Sequence, residues 1–430
     1  MIVRAIAAAM LLDGLARASA QAPLTRTPVA AAREREGQLS VTLITFGLGH
    51  EVFERFGHNA LLFEDAVTGQ TVAYHWGLFS FTEPGFLARF LTGDTRYWMG
   101  AVDGQALIDY ERRAGRPTTL QRLNLTPAQA QTLRDFVQWN ALEENKFYRY
   151  DYYRDNCSTR LRDAIDRAVG GAIRRASDSV RTSITYRNES LRLTDGDAPV
   201  QAGIDVALGR PADKPLTQWE SFFIPMRLRD ALRTVRVEGA NGKDAPLVAT
   251  ELTVALPPEA KPVPESAAPP NLMLRYLLTG LLFAALVVVL RVMMVSRHSA
   301  AWGLALFGAA WSLLCGVLGV ILPLAWLATK HVFWAYNESD LLLTPISLVL
   351  VILIPASVLS ARGERAARMT AAVVALLGLV AMVLALIPGG QRSGEIVALL
   401  LPVHLALAWA LALPRVGARL RALEAQPAAP

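Results

Sequence analysis

Residues 148–170 read Tyr-Arg-Tyr-Asp-Tyr-Tyr-Arg-Asp-Asn-Cys-Ser-Thr-Arg-Leu-Arg-Asp-Ala-Ile-Asp-Arg-Ala-Val-Gly, and their periodicity decides how the soluble part of the chain is built. From Cys157 onward the apolar residues Leu161, Ala164, Ile165 and Ala168 recur at helical spacing, and Gly170-Gly171 supplies a stop. Asp155 and Asn156 both suit the N-cap. Cys157 therefore falls in the first turn of a helix. There the positive end of the macrodipole favours an anion, which lowers a thiol pKa and yields the nucleophilic thiolate. The plain alternative is a small buried core residue, and Cys315, among Leu and Gly in an apolar run, reads as one.

Upstream, Leu39–Phe46 alternates β-branched and apolar residues as a strand does. Asn59–Phe63 and Thr71–Trp76 read as two more strands around a hairpin-like turn at residues 64–70. Thr126-Pro127 opens a helix, with Thr as N-cap and Pro at the first position, that runs to about Asn145. Three of the six histidines, His50, His58 and His75, lie within residues 50–75, on or beside those strands. A cysteine at a helix start facing a strand histidine is the arrangement of thiol acyltransferases and hydrolases: the imidazole takes the thiol proton and later returns it. His75, one strand away, and Glu51 are the candidates for the group that orients His58. The rival reading is a zinc site of His50, His58 and His75 with an open position. The absence of an H-E-x-x-H or C-x-x-C spacing disfavours it.

Downstream, residues 256–271 are a proline-rich spacer, Leu256-Pro257-Pro258 through Pro269-Pro270, stiff and extended. After it the text changes to long apolar runs, with spans expected at 272–295, 302–327, 341–360, 370–388 and 395–413. Their interiors hold Pro323, Pro345, Pro355, Pro402 and His404 but no charged pair, which argues against a transporter. Arg291, Arg297, Arg362, Arg365, Arg368, Arg415, Arg419 and Arg421 fall at one set of ends. The other set holds only Arg275, Lys330 and Arg392. By the positive-inside rule the soluble domain lies outside the cytoplasmic membrane. Residues 1–21 agree as a signal peptide or N-terminal anchor, with an apolar Ile6–Leu12 and a small-residue Ala18-Ser19-Ala20 site.

Composition excludes other classes. With 430 residues, 53% hydrophobic and 19% charged, the chain is neither disordered nor an ordinary all-soluble enzyme. Two cysteines exclude a disulfide scaffold. The net charge of +6 sits largely beside the apolar spans, so it points to membrane topology and not to nucleic acid. The expected organisation is an extracytoplasmic soluble domain at 38–255, the linker, a membrane domain at 272–413 and a cytoplasmic tail at 414–430.

Three blocks in order, Phe53-Glu54-Arg55-Phe56-Gly57-His58-Asn59-Ala60-Leu61, Tyr74-His75-Trp76-Gly77-Leu78-Phe79-Ser80-Phe81 and Tyr150 through Asp163, resemble the Lnb-type lipoprotein N-acyltransferase family. Trp219-Glu220-Ser221-Phe222-Phe223-Ile224-Pro225 resembles a later block of that family, and His331 to Pro345 its outer membrane loop. The resemblance implies an α+β papain-like domain of the permuted NlpC and lecithin–retinol acyltransferase kind, followed by an all-α membrane domain of about five helices. It implies Cys157 as nucleophile and His58 as base. The family commonly has Asn where this chain has His75, so His75 either orients His58 or packs beside it. Glu51, Tyr150, Asn156 and Arg160 become candidate substrate contacts, Arg160 for a lipid phosphate, and His331 and Asn337 join them on resemblance alone.

The implied partners are a membrane phospholipid, or a glyceryl ester of the lipoprotein itself, as acyl donor and a lipoprotein N-terminus as acceptor, with no cofactor. Transfer from an ester to a thioester to an amine needs no nucleotide, and no P-loop is present. Two other readings stand beside it: a membrane-tethered thiol hydrolase acting on cell wall or lipid, and a non-enzymatic membrane-anchored binding module.

Overall fold

Alternation along three short runs is what builds the central sheet. Leu39–Phe46 (β1), His58–Asp65 (β2), Gln70–Leu78 (β3), Arg96–Asp103 (β4), Thr118–Leu123 (β5), Phe147–Arg149 (β6) and Val248–Val254 (β9) form seven strands in the order β6-β4-β3-β2-β1-β5-β9. Every neighbouring pair is antiparallel. Arg236–Glu238 (β7) and Asp244–Pro246 (β8) make a separate two-stranded ribbon. The computed structural model describes residues 39–239 and 242–413. The expected signal segment, 1–21, and the tail, 414–430, lie outside the described residues.

Odd and even positions of the strands go to different cores, as a period of two requires. Leu43, Leu61, Phe63, Tyr74, Trp76 and Met99 are buried in one cluster. With them pack Leu133 and Val137 of α3 (Pro127–Asn140) and Leu161 and Ile165 of α4 (Cys157–Ala168). Two helices precede those, α1 (Phe86–Thr92) and α2 (Gly104–Arg113). Ile44, Phe46, Ala60, Leu62 and Ala73 belong to a second cluster with Ile108 of α2. Each Leu, Ile, Phe or Met among them, fully buried, contributes about 1.5–3 kcal/mol.

The helix opened by Thr126 carries the full capping box. The Thr126 hydroxyl accepts from the Gln129 backbone N–H at 3.2 Å, and Gln129 Oε1 accepts from the Thr126 N–H at 2.9 Å. It ends at Asn140, five residues short of the sequence-based expectation. The reason is the Asn140 side chain, which donates to the Asn145 carbonyl at 2.9 Å and accepts from Trp76 Nε1 at 2.8 Å. Those bonds close a turn and tie it to β3.

Two later helices, α5 (Tyr186–Leu193) and α6 (Pro225–Leu232), brace the loop that leads into α4. Tyr153 Oη lies 2.6 Å from Ser190 Oγ, and the Tyr153 ring stacks on Tyr186 at 4.4 Å. Beneath them the buried Glu189 carboxylate receives Arg192 at 2.8 Å and Arg227 at 2.7 Å. Burial pushes the Glu189 pKa up, but the hydrogen bonds from Arg227 and Arg192 outweigh it, and the net direction is down.

The chain falls into two units, one of residues up to 201 with 215–269, the other of 202–214 with 270 onward. The second is helical. Four of its helices are long and apolar enough to cross a membrane: α7 (Met273–Met293), α8 (His298–Ala328), α10 (Glu364–Ala385) and α11 (Gly394–Ala412). The expected span at 341–360 differs. Its helix, α9 (Ser347–Ser360), has 14 residues, about 21 Å of rise against a hydrocarbon core of about 30 Å. Pro345 disfavours helix at Thr344, and the residues before it wind as a 3₁₀ turn at Glu338–Leu341. Such irregular backbone is tolerated at membrane depth where protein covers it. Here Ser339, Leu342, Leu343 and Thr344 are all buried, and Gly319 of α8 packs directly on the Leu343–Thr344 backbone.

Replacing Glu189 by Gln should remove the carboxylate that pairs the half-buried Arg227 and leave the buried Arg192 with Glu265 alone, at a cost of roughly 3 kcal/mol. Thermal unfolding of the detergent-solubilised chain would read it. A depressed carboxylate stabilises above its unfolded pKa, so the wild-type advantage should be full at neutral pH and fade as pH falls through the acid carboxylate range.

Candidate active site

Cys157 begins α4 because Asn156 caps it. Asn156 Oδ1 accepts from the backbone N–H groups of Ser158 and Thr159, both at 2.9 Å. Its Nδ2 donates to the carbonyls of Tyr152 at 3.1 Å and Phe223 at 2.9 Å. Ser158 Oγ donates to the Phe222 carbonyl at 2.6 Å. The Trp219–Pro225 block is thus the wall against which the helix start is pinned. Asn156, expected as a substrate contact, has both ends of its amide engaged within the fold.

The thiol lies where two strands part. Pairing of β2 with β3 runs from Asp65↔Gln70 to Leu61↔Tyr74 and stops, though both strands continue. Carried on, that register would set His58 opposite Gly77. Gly77 has φ +92°, and a Cβ there would meet Cys157 Cβ at 3.5 Å and Tyr150 Cε2 at 3.8 Å. The missing side chain makes room for the cysteine, and the backbone N–H of Asn59 donates to its sulfur.

His58 Nε2 and His75 Nδ1 are 2.9 Å apart, so the structure brings these two sequence-derived residues together. The His58 ring also stacks on Phe46, centroids 6.3 Å apart, while the next side chain, Asn59, turns to Ser158 Oγ at 3.4 Å. The sulfur therefore sits at the peptide that joins the two residues. Among the described residues no hydrogen bond joins Cys157 to an imidazole in this state. Catalytic pairs are often loose without substrate.

Electrostatics makes both imidazoles neutral. Burial, then the neighbouring His75, then Arg116 hold His58 well below the ordinary imidazole pKa. Burial alone draws His75 down to about 4. In the tautomer where His58 Nε2–H donates to His75 Nδ1, His58 Nδ1 keeps a free lone pair and is the acceptor a general base needs. His75 then holds the ring.

The thiol corrects the sequence-based expectation. Instead of being lowered, its pKa is pushed up to about 11, because burial outweighs everything else. Opposing burial are the backbone N–H groups of Ser158 and Asn59, the Arg116 charge and the N–H of Cys157 itself. The resting group is a protonated thiol inside a ready-made set of anion donors. It becomes a nucleophile only as a base removes the proton.

Three contributors escaped the sequence reading. Arg116 is buried, donates to the Gly47 carbonyl at 3.0 Å and pairs with Glu111 at 2.9 Å. Only the closing of the sheet brings it near residues 58 and 157. Tyr148 has a buried hydroxyl with no hydrogen-bond partner, about 4.0 Å from where a Gly77 Cβ would stand. Its signal was the spacing of two from Tyr150, which in extended chain puts both rings on one side of β6 and the residue that follows it. Gly77 carries no signal of its own in the sequence beyond its place in the Tyr74–Phe81 block.

The other candidates are placed elsewhere. Tyr150 lies against Gly77 beside Cys157 and stacks on Tyr97 at 4.3 Å. Arg160 is committed to Asp155 by two bonds of 2.6 and 2.8 Å and lies 3.7 Å over the Tyr148 ring. Glu51 opens a 3₁₀ turn, its N–H donating to Glu54 Oε2 at 3.3 Å. His50 pairs with the Lys261 carbonyl at 3.0 Å and so does not join His58 and His75. His331 and Asn337 belong to the second unit. There His331 stacks on Trp334 at 5.1 Å. Asn337 donates to the Val206 carbonyl at 2.8 Å and accepts from Ser339 N and Gln391 Nε2, each at 3.0 Å.

With a pKa near 11, about one Cys157 in a thousand is thiolate at pH 8. In a Cys315→Ala background, alkylation by iodoacetamide should be slow at pH 7 and climb tenfold per unit up to about pH 11. A plateau below pH 8 would contradict this. The folded His75 should stay neutral below pH 6.5 and protonate only as pH falls towards 4, and because unfolded imidazoles bind protons first, stability followed by thermal unfolding should decline across that window.

Residues 35–188 match the family model described as the Lnb N-terminal periplasmic domain. Among curated proteins and among solved structures none matches the chain. The matched stretch, an Lnb-type periplasmic domain, contains the cysteine and both histidines.

Proposed function

We propose that the protein is a lipoprotein N-acyltransferase of the inner membrane, working through a Cys157 thioester on a papain-like domain. The observation that carries this is the helix-start thiol surrounded by converging N–H donors at the peptide following His58, beside a neutral His58–His75 pair. The family match supports it. So does an apolar wall suited to an acyl chain: Tyr150 stacks on Tyr97, Tyr97 on Phe79 at 5.0 Å and Phe79 on Phe86 at 5.8 Å, leading to exposed Leu87 and Phe90.

In the proposed reaction His58 Nδ1 takes the Cys157 proton as sulfur attacks the ester carbonyl of a phospholipid. The resulting oxyanion is held by the N–H groups that face the sulfur and by the Tyr148 hydroxyl. Collapse expels the lipid alkoxide, which recovers the proton from His58 and leaves as a lysophospholipid. The α-amino group of a diacylglyceryl-cysteine then attacks the thioester, gives its proton through His58 to the departing sulfur, and leaves N-acylated. Both substrates are lipid-anchored, so tethering the enzyme in the same membrane raises their effective concentration. Burial of the thiol disfavours water as the acceptor.

Cys157→Ala and His58→Ala should each abolish N-acylation of lipoproteins while the protein remains in the membrane fraction. Mass spectrometry of lipoprotein N-termini would show the loss of one acyl chain. Unchanged N-acylation in both variants would refute the proposal. Tyr148→Phe should slow formation of the acyl-enzyme by roughly 100-fold, the worth of one oxyanion donor, without changing iodoacetamide alkylation of Cys157.

A further inference from the structure

Polar groups inside apolar helices are costly, and three of them in the second unit converge without satisfying one another. Trp311 of α8, Ser347 at the start of α9 and His404 of α11 line one small cavity, along with Ser312, Val374 and Leu407. Their exposures are 9%, 1% and 3%. Trp311 Nε1, Ser347 Oγ and His404 Nε2 each lack a hydrogen-bond partner. Trp311 and His404 stand edge to face, ring centroids 6.3 Å apart.

The tautomer of His404 follows from its other side. The ring donates to the Leu342 carbonyl, and since Nε2 has no partner the donor is Nδ1–H. Nε2 is then a lone-pair acceptor. Trp311 Nε1–H can only donate, and the serine hydroxyl can do either. One molecule that donates once and accepts twice satisfies all three, and the cavity has room for about one water.

We infer that this cavity is a specific site for a single water. The water accepts from Trp311 Nε1–H and Ser347 Oγ–H and donates to His404 Nε2. It links three helices at the point where α9, too short to cross alone, begins. The site lies wholly in the membrane unit and does not depend on the acyltransferase reading.

The test is NMR of the full chain in micelles with ¹⁵N-indole tryptophan, the Trp311 signal being assigned by its loss in Trp311→Phe. The expected result is a hydrogen-bonded downfield indole proton with a cross-peak to water, lost in His404→Leu. A Trp311 indole proton without a water cross-peak would overturn the inference. Melting temperatures give an independent reading through the cycle of Trp311→Phe, His404→Leu and the double variant. A shared water predicts that the double variant loses little more than the larger single loss. Fully additive losses would count against the bridge.

Discussion

The hydrogen bonds of one side chain, Asn156, hold the rest of the site in place. Its carbonyl oxygen takes two of the N–H groups that every helix start leaves without partners. Its amide nitrogen ties that helix start to the loop before it and to the Phe223 carbonyl far along the chain. A cysteine placed next to this cap has little freedom. It must enter the seam where β2 and β3 diverge, over a glycine that leaves space for it.

From this constraint the chemistry follows by competition between two effects. The helix start and Arg116 favour a thiolate, but loss of water opposes it more strongly, and desolvation wins. The same burial keeps both imidazoles neutral. A neutral thiol beside a neutral imidazole pair is a poised acid and base, in contrast to a preformed ion pair. In the proposed reaction such a site stays unreactive until a substrate carbonyl arrives to take up the developing charge.

The membrane unit obeys the same accounting with a different solvent. Small residues let backbones approach, as where Gly308 of α8 leaves room for Ile354 of α9 at 3.0 Å and Leu407 of α11 at 3.5 Å from a would-be Cβ. Non-helical backbone before α9 is covered by protein, and the Asn337 and Gln391 amides satisfy carbonyls at Val206 and Leu208.

Much of this was legible in the linear text. Alternation in Leu39–Phe46, the Thr126-Pro127 start and the Asn156-Cys157 helix start all depend on neighbours in sequence, where period and capping act over a few residues. The pairing of His58 with His75 was also within reach, because a hairpin relates them. What the text could not contain was the sign of the Cys157 shift. That sign depends on how much water the Trp219–Pro225 block and β2–β3 exclude, and only folding assembles those segments. For the same reason Arg116 entered the site unannounced, and the apolar run at 341–360 proved too short as a helix to cross. Local patterns reveal which elements form; the solvent each side chain keeps or loses is a property of the assembled chain alone.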